Sequence, residues 1–268
     1  MDIVNAVAPI QPITNGQTKP YLLLCDDGYQ YYVKFKENPE SPRVLINEFV
    51  CTKIANLVQI PLTTNKLVKI NLQFVQVYGE VIKHHIGETI SQGLHFGSQK
   101  VDKAYPITSS QMIEGSTNPS CLSDVLLFDH LVGNEDRVSN RGNILMDGTS
   151  KKITVLDHSH AFELGPIWDH IQLSHRLTDP IKPLDLSGYV YSKWVPYITG
   201  TDPFENFFHN MIGLTREKMW HIINEVPAEW NINTQEKQTL LEYLEYRKTN
   251  LHTVPQYLKS SLPYWTRG

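Results

Sequence analysis

Apolar and polar positions follow two different rhythms along this chain, and the change from one to the other divides it. Across residues 16–35 the rhythm is that of strands: Tyr21-Leu22-Leu23-Leu24-Cys25 and Tyr29-Gln30-Tyr31-Tyr32-Val33-Lys34-Phe35 flank a turn at Asp26-Asp27-Gly28. Asp-Gly between two apolar, aromatic runs is a strong hairpin signal, because such turns need backbone angles that glycine adopts freely. Pro39 and Pro42 mark a loop, and a helix is expected from about 43 to 57, with Leu45, Phe49, Thr52 and Ala55 spaced for one face and Pro61 ending it. Strands are expected again at 66–70 and 73–82, the second running into His84-His85. The stretch 87–105 is polar and carries glycine, so it reads as loop or irregular structure.

Beyond Pro119 the rhythm turns helical. Leu122, Val125, Leu126, Leu131 and Val132 have helical spacing across 121–132. Residues 143–146 and 153–156 then pair as a short hairpin around Asp147-Gly148. Past residue 200 three more helices are expected, at 204–212, 217–224 and 235–251, the last with Leu240, Leu241, Leu244 and Arg247 in register. A β-rich first part followed by a helical second part predicts an α+β fold of two lobes around a cleft, the first lobe ending somewhere in 83–105.

Composition narrows the classes without choosing among them. With 268 residues, 41% apolar and 19% charged, the chain is an ordinary soluble globular protein, able to bury roughly three quarters of its unfolded surface. A net charge of −4 does not favour nucleic acid as a partner. No apolar run approaches the ~18 residues of a membrane span, and the N-terminal stretch lacks the basic and apolar regions of a signal peptide. Cys25, Cys51 and Cys121 form neither a zinc pattern nor a disulfide framework. Reduced, buried thiols and a cytoplasmic location are the default expectation.

The candidate chemistry is concentrated in residues 136–157. Asp136-Arg137 follows an apolar helix, Asn143 comes seven residues after the aspartate, and Asp157 closes the strand 153–156. Two carboxylates and a carboxamide gathered by a hairpin suit a Mg-nucleotide site, because hard Mg²⁺ takes one or two protein oxygens and fills its other positions with phosphate and water. Asp136 would orient an acceptor hydroxyl, Arg137 would pin the loop, and Asn143 and Asp157 would hold the metal. Asn134 and Asn140 are further amides on the same loop, suited to Asx-type bonds. Lys34, on the second strand of the hairpin, could hold phosphates as a point charge, and Glu48, fourteen residues later on the next helix, could orient it. Taken singly, each has a bland alternative: an exposed strand lysine, an exposed helix glutamate and an Asx-capped surface turn. The loop Thr14-Asn15-Gly16-Gln17-Thr18-Lys19-Pro20 could cover phosphates through its N–H groups and Lys19, although it is far from a full glycine-rich signature. A transition-metal hydrolase is a competing reading, in which Asp129, His130, Asp157, His158 and His160 gather, the last two histidines pointing the same way by strand alternation.

Together these residues resemble the HipA-like kinase family, which is related in outline to type II phosphatidylinositol 4-kinases and more remotely to protein kinases. The resemblance rests on NGQTKPYLLLCDDGYQYYVKF with INEFVCTKIANLVQIP, on LHFGS at 94–98, and above all on FDHLVGNEDRVSNRGNILM with ITVLDHSHAF. Val226-Pro227-Ala228-Glu229-Trp230 and the helix through Arg247 look like the family's tail, so the similarity spans most of 15–250. It implies a kinase-like fold with lobes at 1–100 and 101–268, ATP and Mg²⁺ as cofactors, and a protein serine or threonine as acceptor. It also implies Lys34, Glu48 and Asp136 as catalytic residues, Gly16, Thr18, Lys19 and Lys34 around the phosphates, and Asn143 and Asp157 on the metal. The better-known members place their metal asparagine five residues after the aspartate, where this chain has Arg141. Asn143 leads directly into the next strand as in a related subgroup, and Asn140 competes with it. A pseudokinase that binds nucleotide and presents a surface to a partner remains an alternative, as does the hydrolase.

Overall fold

The computed structural model describes residues 1–266, and its order of elements changes character near residue 100. Five strands form a closed barrel in the order β1-β2-β3-β5-β4, with β1 Ile3–Pro12, β2 Tyr21–Cys25, β3 Gln30–Lys34, β4 Asn65–Ile70 and β5 Gly93–Gln99. The expected hairpin is β2 and β3, antiparallel with Tyr21 opposite Val33. β1 closes the barrel by running parallel to β4. It turns Val4 and Ala6 inward and leaves Ile3, Val7 and Ile10 exposed, a two-residue alternation in the N-terminal segment for which no strand was expected.

Two expectations fail here for identifiable reasons. Residues 73–82 are not a strand but part of α2, Leu72–Ile86. Asn71 caps it, its side chain accepting from Phe74 N at 2.8 Å, and Gly87 ends it in the left-handed conformation. Phe74, Ile82 and Ile86 are buried while Val77 and Val81 are exposed, so the apolar period was that of a helix. The supposed irregular stretch 87–105 holds β5 and β6, Ala104–Pro106. LHFGS is therefore barrel strand, with His95 wholly buried: its Nδ1 accepts from Lys36 N at 3.1 Å and its Nε2 lies 3.2 Å from Ser91 O. Gly97 is required by close packing, since a Cβ there would lie 2.6 Å from Val68 Cγ2. Polar and glycine residues in a strand buried on the inside of a barrel mimic a loop in sequence.

The other elements lie close to expectation. Helix α1 spans Arg43–Leu57 and α4 spans Cys121–Val132; between α2 and α4 lies the short α3, Ser110–Glu114. Strands β7, Ile144–Asp147, and β8, Ile153–Val155, form a hairpin to which β6 adds a third strand. The remainder is helical: α5 His170–His175, α6 Tyr191–Trp194, α7 Glu205–Met211, α8 Arg216–Asn224, α9 Thr234–Asn250 and α10 Val254–Leu258. Among the described residues no helix is long and apolar enough to cross a membrane, and Cys25 and Cys51 are buried free thiols. The apolar core has two bodies. One fills the barrel around Leu23, Val33, Val68 and Phe74. The larger one joins α1 to α4, the β7–β8 hairpin and the C-terminal helices, so α1 is packed with the helical part although it follows the barrel hairpin in sequence.

Candidate active site

Lys34 ends β3 and projects toward α1, where Glu48 sits one third of the way along an otherwise mostly apolar helix. Its Nζ lies 2.5 Å from Glu48 Oε1 and 2.8 Å from Asp157 Oδ1, all three groups being largely out of solvent. Burial works against the Lys34 ammonium, but Asp157 and Glu48 outweigh it and raise its pKa. Burial likewise opposes the Asp157 carboxylate, yet Lys34 and the hydrogen bonds of Ser159 hold it well below the usual range. Lys34 and Asp157 are therefore charged at neutral pH, whereas burial raises the Glu48 carboxyl despite the ammonium beside it. Glu48 is fixed from its other side as well, Oε2 accepting from His158 N at 3.0 Å.

The chain leaves strand geometry immediately after β8: Asp157 has a φ of 60°. Its Oδ1 takes Lys34 Nζ, Ser159 N at 3.1 Å and Ser159 Oγ at 2.6 Å, and no donor among the described residues reaches Oδ2. The same departure sends the two histidines apart instead of to one side. His158 is buried, 2.9 Å from Arg137 Nη2 and edge-on to Phe128. Burial and then Arg137 push its pKa well down, which leaves it neutral with Nε2 as acceptor. His160 turns to Glu40 at 3.3 Å. His130 serves the core: its Nδ1 lies 2.7 Å from Leu126 O and its Nε2 accepts from Leu184 N, and burial lowers it to about 4. Among the described residues no group of three or more histidine, cysteine and acidic side chains could hold a metal. The gathering that a transition-metal hydrolase would need is absent there.

Asp136 and Asn143 are brought together on the loop after α4. Asp136 Oδ2 accepts from Asn143 Nδ2 at 2.7 Å and from Asn140 Nδ2 at 3.1 Å, while its Oδ1 has no protein donor among the described residues. The two asparagines differ at their oxygens. Asn140 Oδ1 accepts from Gly142 N in an Asx turn, whereas Asn143 Oδ1 is left without a donor among the described residues. Arg137 joins this loop to the Asp157 segment. Fully buried, it pairs with Asp129 at 2.7 Å and donates to the carbonyls of Asn143 and Leu156. Tyr191 and Asn134 complete the bonding of Asp129. Since Leu156 N also donates to Asn143 O at 3.2 Å, the hairpin sets Asn143 beside the residue that precedes Asp157.

The loop of Gly16, Thr18 and Lys19 shares an end of the barrel with Lys34, because Tyr21, where β2 begins, faces Val33. Thr18 is buried and its carbonyl accepts from Asn38 Nδ2 at 2.8 Å; Lys19 is exposed. None of the three bonds to Lys34, Asp136, Asn143 or Asp157. Beside Asp136 opens a cleft of about 620 Å³, with Glu40, Glu135, His160, Glu163 and Ile167 among its lining residues. Two supporting residues escaped sequence reasoning. Ser159 secures Asp157, and an Asp-x-Ser triplet is itself an Asx-turn signal. Asn47, buried next to Glu48, donates to Ser159 O and Gly165 O and accepts from Trp168 Nε1 at 2.8 Å. A second polar residue inside an apolar helical run was the available sign.

A family model described as HipA-like kinase matches residues 6–179. Among solved structures, the chain is similar to the crystal structure of a Helicobacter pylori proinflammatory kinase, CtkA, with a TM-score of 0.60 at 14% identity over 93% of this chain and 94% of that one. A golgi casein kinase structure is also similar, with a TM-score of 0.49 at 9% identity over 95% of this chain and 74% of that one. No curated protein matches the sequence. The first structural likeness shows a kinase-like α+β fold.

Proposed function

The chain belongs to the HipA-like kinase family, and from that premise we propose that it is an ATP- and Mg²⁺-dependent phosphotransferase acting on a serine or threonine hydroxyl of a protein. The observation that carries this reading is Lys34 held as a buried cation between Glu48 and Asp157, with Asp136 and Asn143 paired on a loop that Arg137 ties to the same segment. We further propose that the barrel with its associated elements, residues 1–100, and the helical part, residues 101–268, act as two lobes on either side of the nucleotide.

Phosphoryl transfer asks little covalent chemistry of the protein, so positioning and charge do most of the work. Lys34 would present its ammonium to the α- and β-phosphates, and Glu48 would keep it there. Gly16, Thr18 and Lys19 lie at the same end of the barrel and would lend N–H groups and a positive charge to the phosphates. The residues present suit Mg²⁺: Asp157 Oδ2 and Asn143 Oδ1 are hard oxygens that no protein donor occupies among the described residues, and no soft-ligand cluster competes. When bound, the metal would neutralise phosphate charge as it develops. Asp136 would use its unpaired Oδ1 to orient the acceptor hydroxyl and receive its proton, while the two amides steady Oδ2. The acceptor segment would arrive through the cleft beside Asp136.

The test pairs labelled ATP, Mg²⁺ and a generic protein acceptor with thermal-shift titration by nucleotide. Transfer to seryl or threonyl groups supports the proposal. Stabilisation without turnover would make the chain a nucleotide-binding module, and indifference to ATP would overturn the reading altogether.

A further inference from the structure

The loop from Asp136 to Asn143 contains only two 3-10 turns, Asp136–Val138 and Arg141–Asn143. Arg137 holds it from within. On its outer side runs a segment that lies beyond the stretch matched by the family, residues 188–191, and the contacts there are close. Val190 N donates to Val138 O at 3.1 Å. The Arg141 guanidinium lies 3.6 Å from the centroid of the Tyr189 ring, and Lys193 Nζ lies 3.1 Å from the same centroid. Both cations therefore lie over the Tyr189 ring. Lys193 also donates to Tyr189 O at 2.7 Å, and the Tyr189 hydroxyl donates to Thr108 O at 3.3 Å. Tyr191 reaches Asp129, the partner of Arg137, at 2.7 Å. Gly188 is pressed against the loop: a Cβ would lie 2.2 Å from Val138 Cγ1 and 2.6 Å from Val138 O.

We propose that Gly188 and Tyr189 are positioning residues: they brace the outer side of the Asp136–Asn143 loop and so hold Asp136 and Asn143 in working register. The proposal rests on the reading of Asp136 and Asn143 as parts of a phosphotransfer site. Cation–ring attraction ties Arg141 to Tyr189, and the missing Cβ at residue 188 supplies the close approach. Tyr189 acts through Arg141, and its neighbour Val190 through the backbone of Val138. A loop displaced by even about 1 Å can lose roughly a hundredfold in rate.

The experiment compares Tyr189→Ala, Tyr189→Phe, Arg141→Ala and Gly188→Ala in the full chain, reading kcat, nucleotide Kd and hydrogen exchange of the amides in 136–143. Tyr189→Ala and Arg141→Ala should each lower kcat roughly 10- to 100-fold, leave the Kd of metal-free ATP within about twofold, and speed exchange in the loop. Their effects should not add, because the two residues share one contact. Tyr189→Phe keeps the ring and should behave as wild type, and Gly188→Ala should reproduce the kcat loss by pushing on Val138. Wild-type kcat and exchange in Tyr189→Ala, or equal damage from Tyr189→Phe, would overturn the brace. If the wild-type chain transfers no phosphate, the function proposed above fails, whereas exchange in the loop still decides whether the brace exists.

Discussion

Among the described residues Asp136 has one oxygen engaged by two asparagines and one unengaged, and that asymmetry suits a group that must meet a hydroxyl. Replacing Asp136 by Asn should lower transfer by about 10²- to 10⁴-fold, the usual range for a general base, and leave nucleotide affinity near wild type. Rapid-quench kinetics beside equilibrium nucleotide binding would check this, and an unimpaired kcat would remove Asp136 from its role. The same loop distinguishes its asparagines. Asn140 gives its oxygen to Gly142 N, so Asn140→Ala should loosen the turn and remove one of the two amide bonds to Asp136 Oδ2, with no loss at the metal. Asn143→Ala should cost far more activity and raise the Mg²⁺ concentration needed for half-maximal rate. A Mg²⁺ titration of both variants separates them, and the reverse ordering would move the metal ligand to Asn140.

At the scale of elements, helices supply the rigid positions from which these side chains act. Helix α1 carries Asn47 and Glu48 side by side, one fastening the segment after Asp157 and the other fixing Lys34. Helix α4 carries Asp129, whose pairing with Arg137 sets the loop. It also carries Asp124, whose Oδ2 accepts from Asn206 of α7 at 2.6 Å. Burial raises the Asp124 carboxyl to about 6, partly countered by that bond. The unfolded value is about 3.9, so between about pH 4 and pH 6 the native state binds more protons than the unfolded one. The contribution of Asp124 to stability must then fall as pH rises through that window. Asp124→Asn keeps an acceptor for Asn206 and has no charge to bury. Its stability advantage over wild type should therefore be absent near about pH 4 and grow up to about pH 6, then hold level. Urea titrations across this range would show it, and a constant difference would refute it.

For the molecule as a whole, the question is what joins the barrel to the helical part. Besides the Lys34–Asp157 contact, the stretch following α8 docks on β5. Trp230 is wholly buried, donates from Nε1 to Leu94 O at 2.8 Å and lies edge-on to Phe49. Its neighbour Glu229 accepts from Leu94 N at 3.0 Å and pairs with Lys36 at 2.7 Å. Trp230→Ala should destabilise the fold by about 3–5 kcal/mol, as buried aromatic truncations do. Because it loosens the seat of β5 and α1 together, it should also weaken nucleotide binding, unlike Asp136→Asn. Calorimetric unfolding with and without Mg-ATP would test both, and a loss below about 1 kcal/mol would mean the contact is dispensable.

The sequence by itself determined the hairpin of β2 and β3, the spans of α1 and α4, and the β7–β8 turn, because each is written in a local period or a turn residue. It also singled out Lys34, Glu48, Asp136, Asn143 and Asp157 and expected Lys34 to pair with Glu48; that Lys34 also meets Asp157, and Asp136 meets Asn143, is visible only in the structure. It misread α2 because Phe74, Val75, Val77, Tyr78, Val81 and Ile82 fit either period until the Asn71 cap and the Gly87 stop are weighed. It misread β5 because His95, Ser98 and Gly97 look solvent-exposed, and only a closed barrel with internal partners makes them interior. Tertiary structure alone decided the rest. Contacts between residues far apart in the sequence leave no local trace, so the membership of α1 in the helical core, the burial of His158 away from His160, and the close approach of Gly188 to Val138 follow from how elements pack. Periodicity records which face of an element is apolar, whereas packing decides what that face meets.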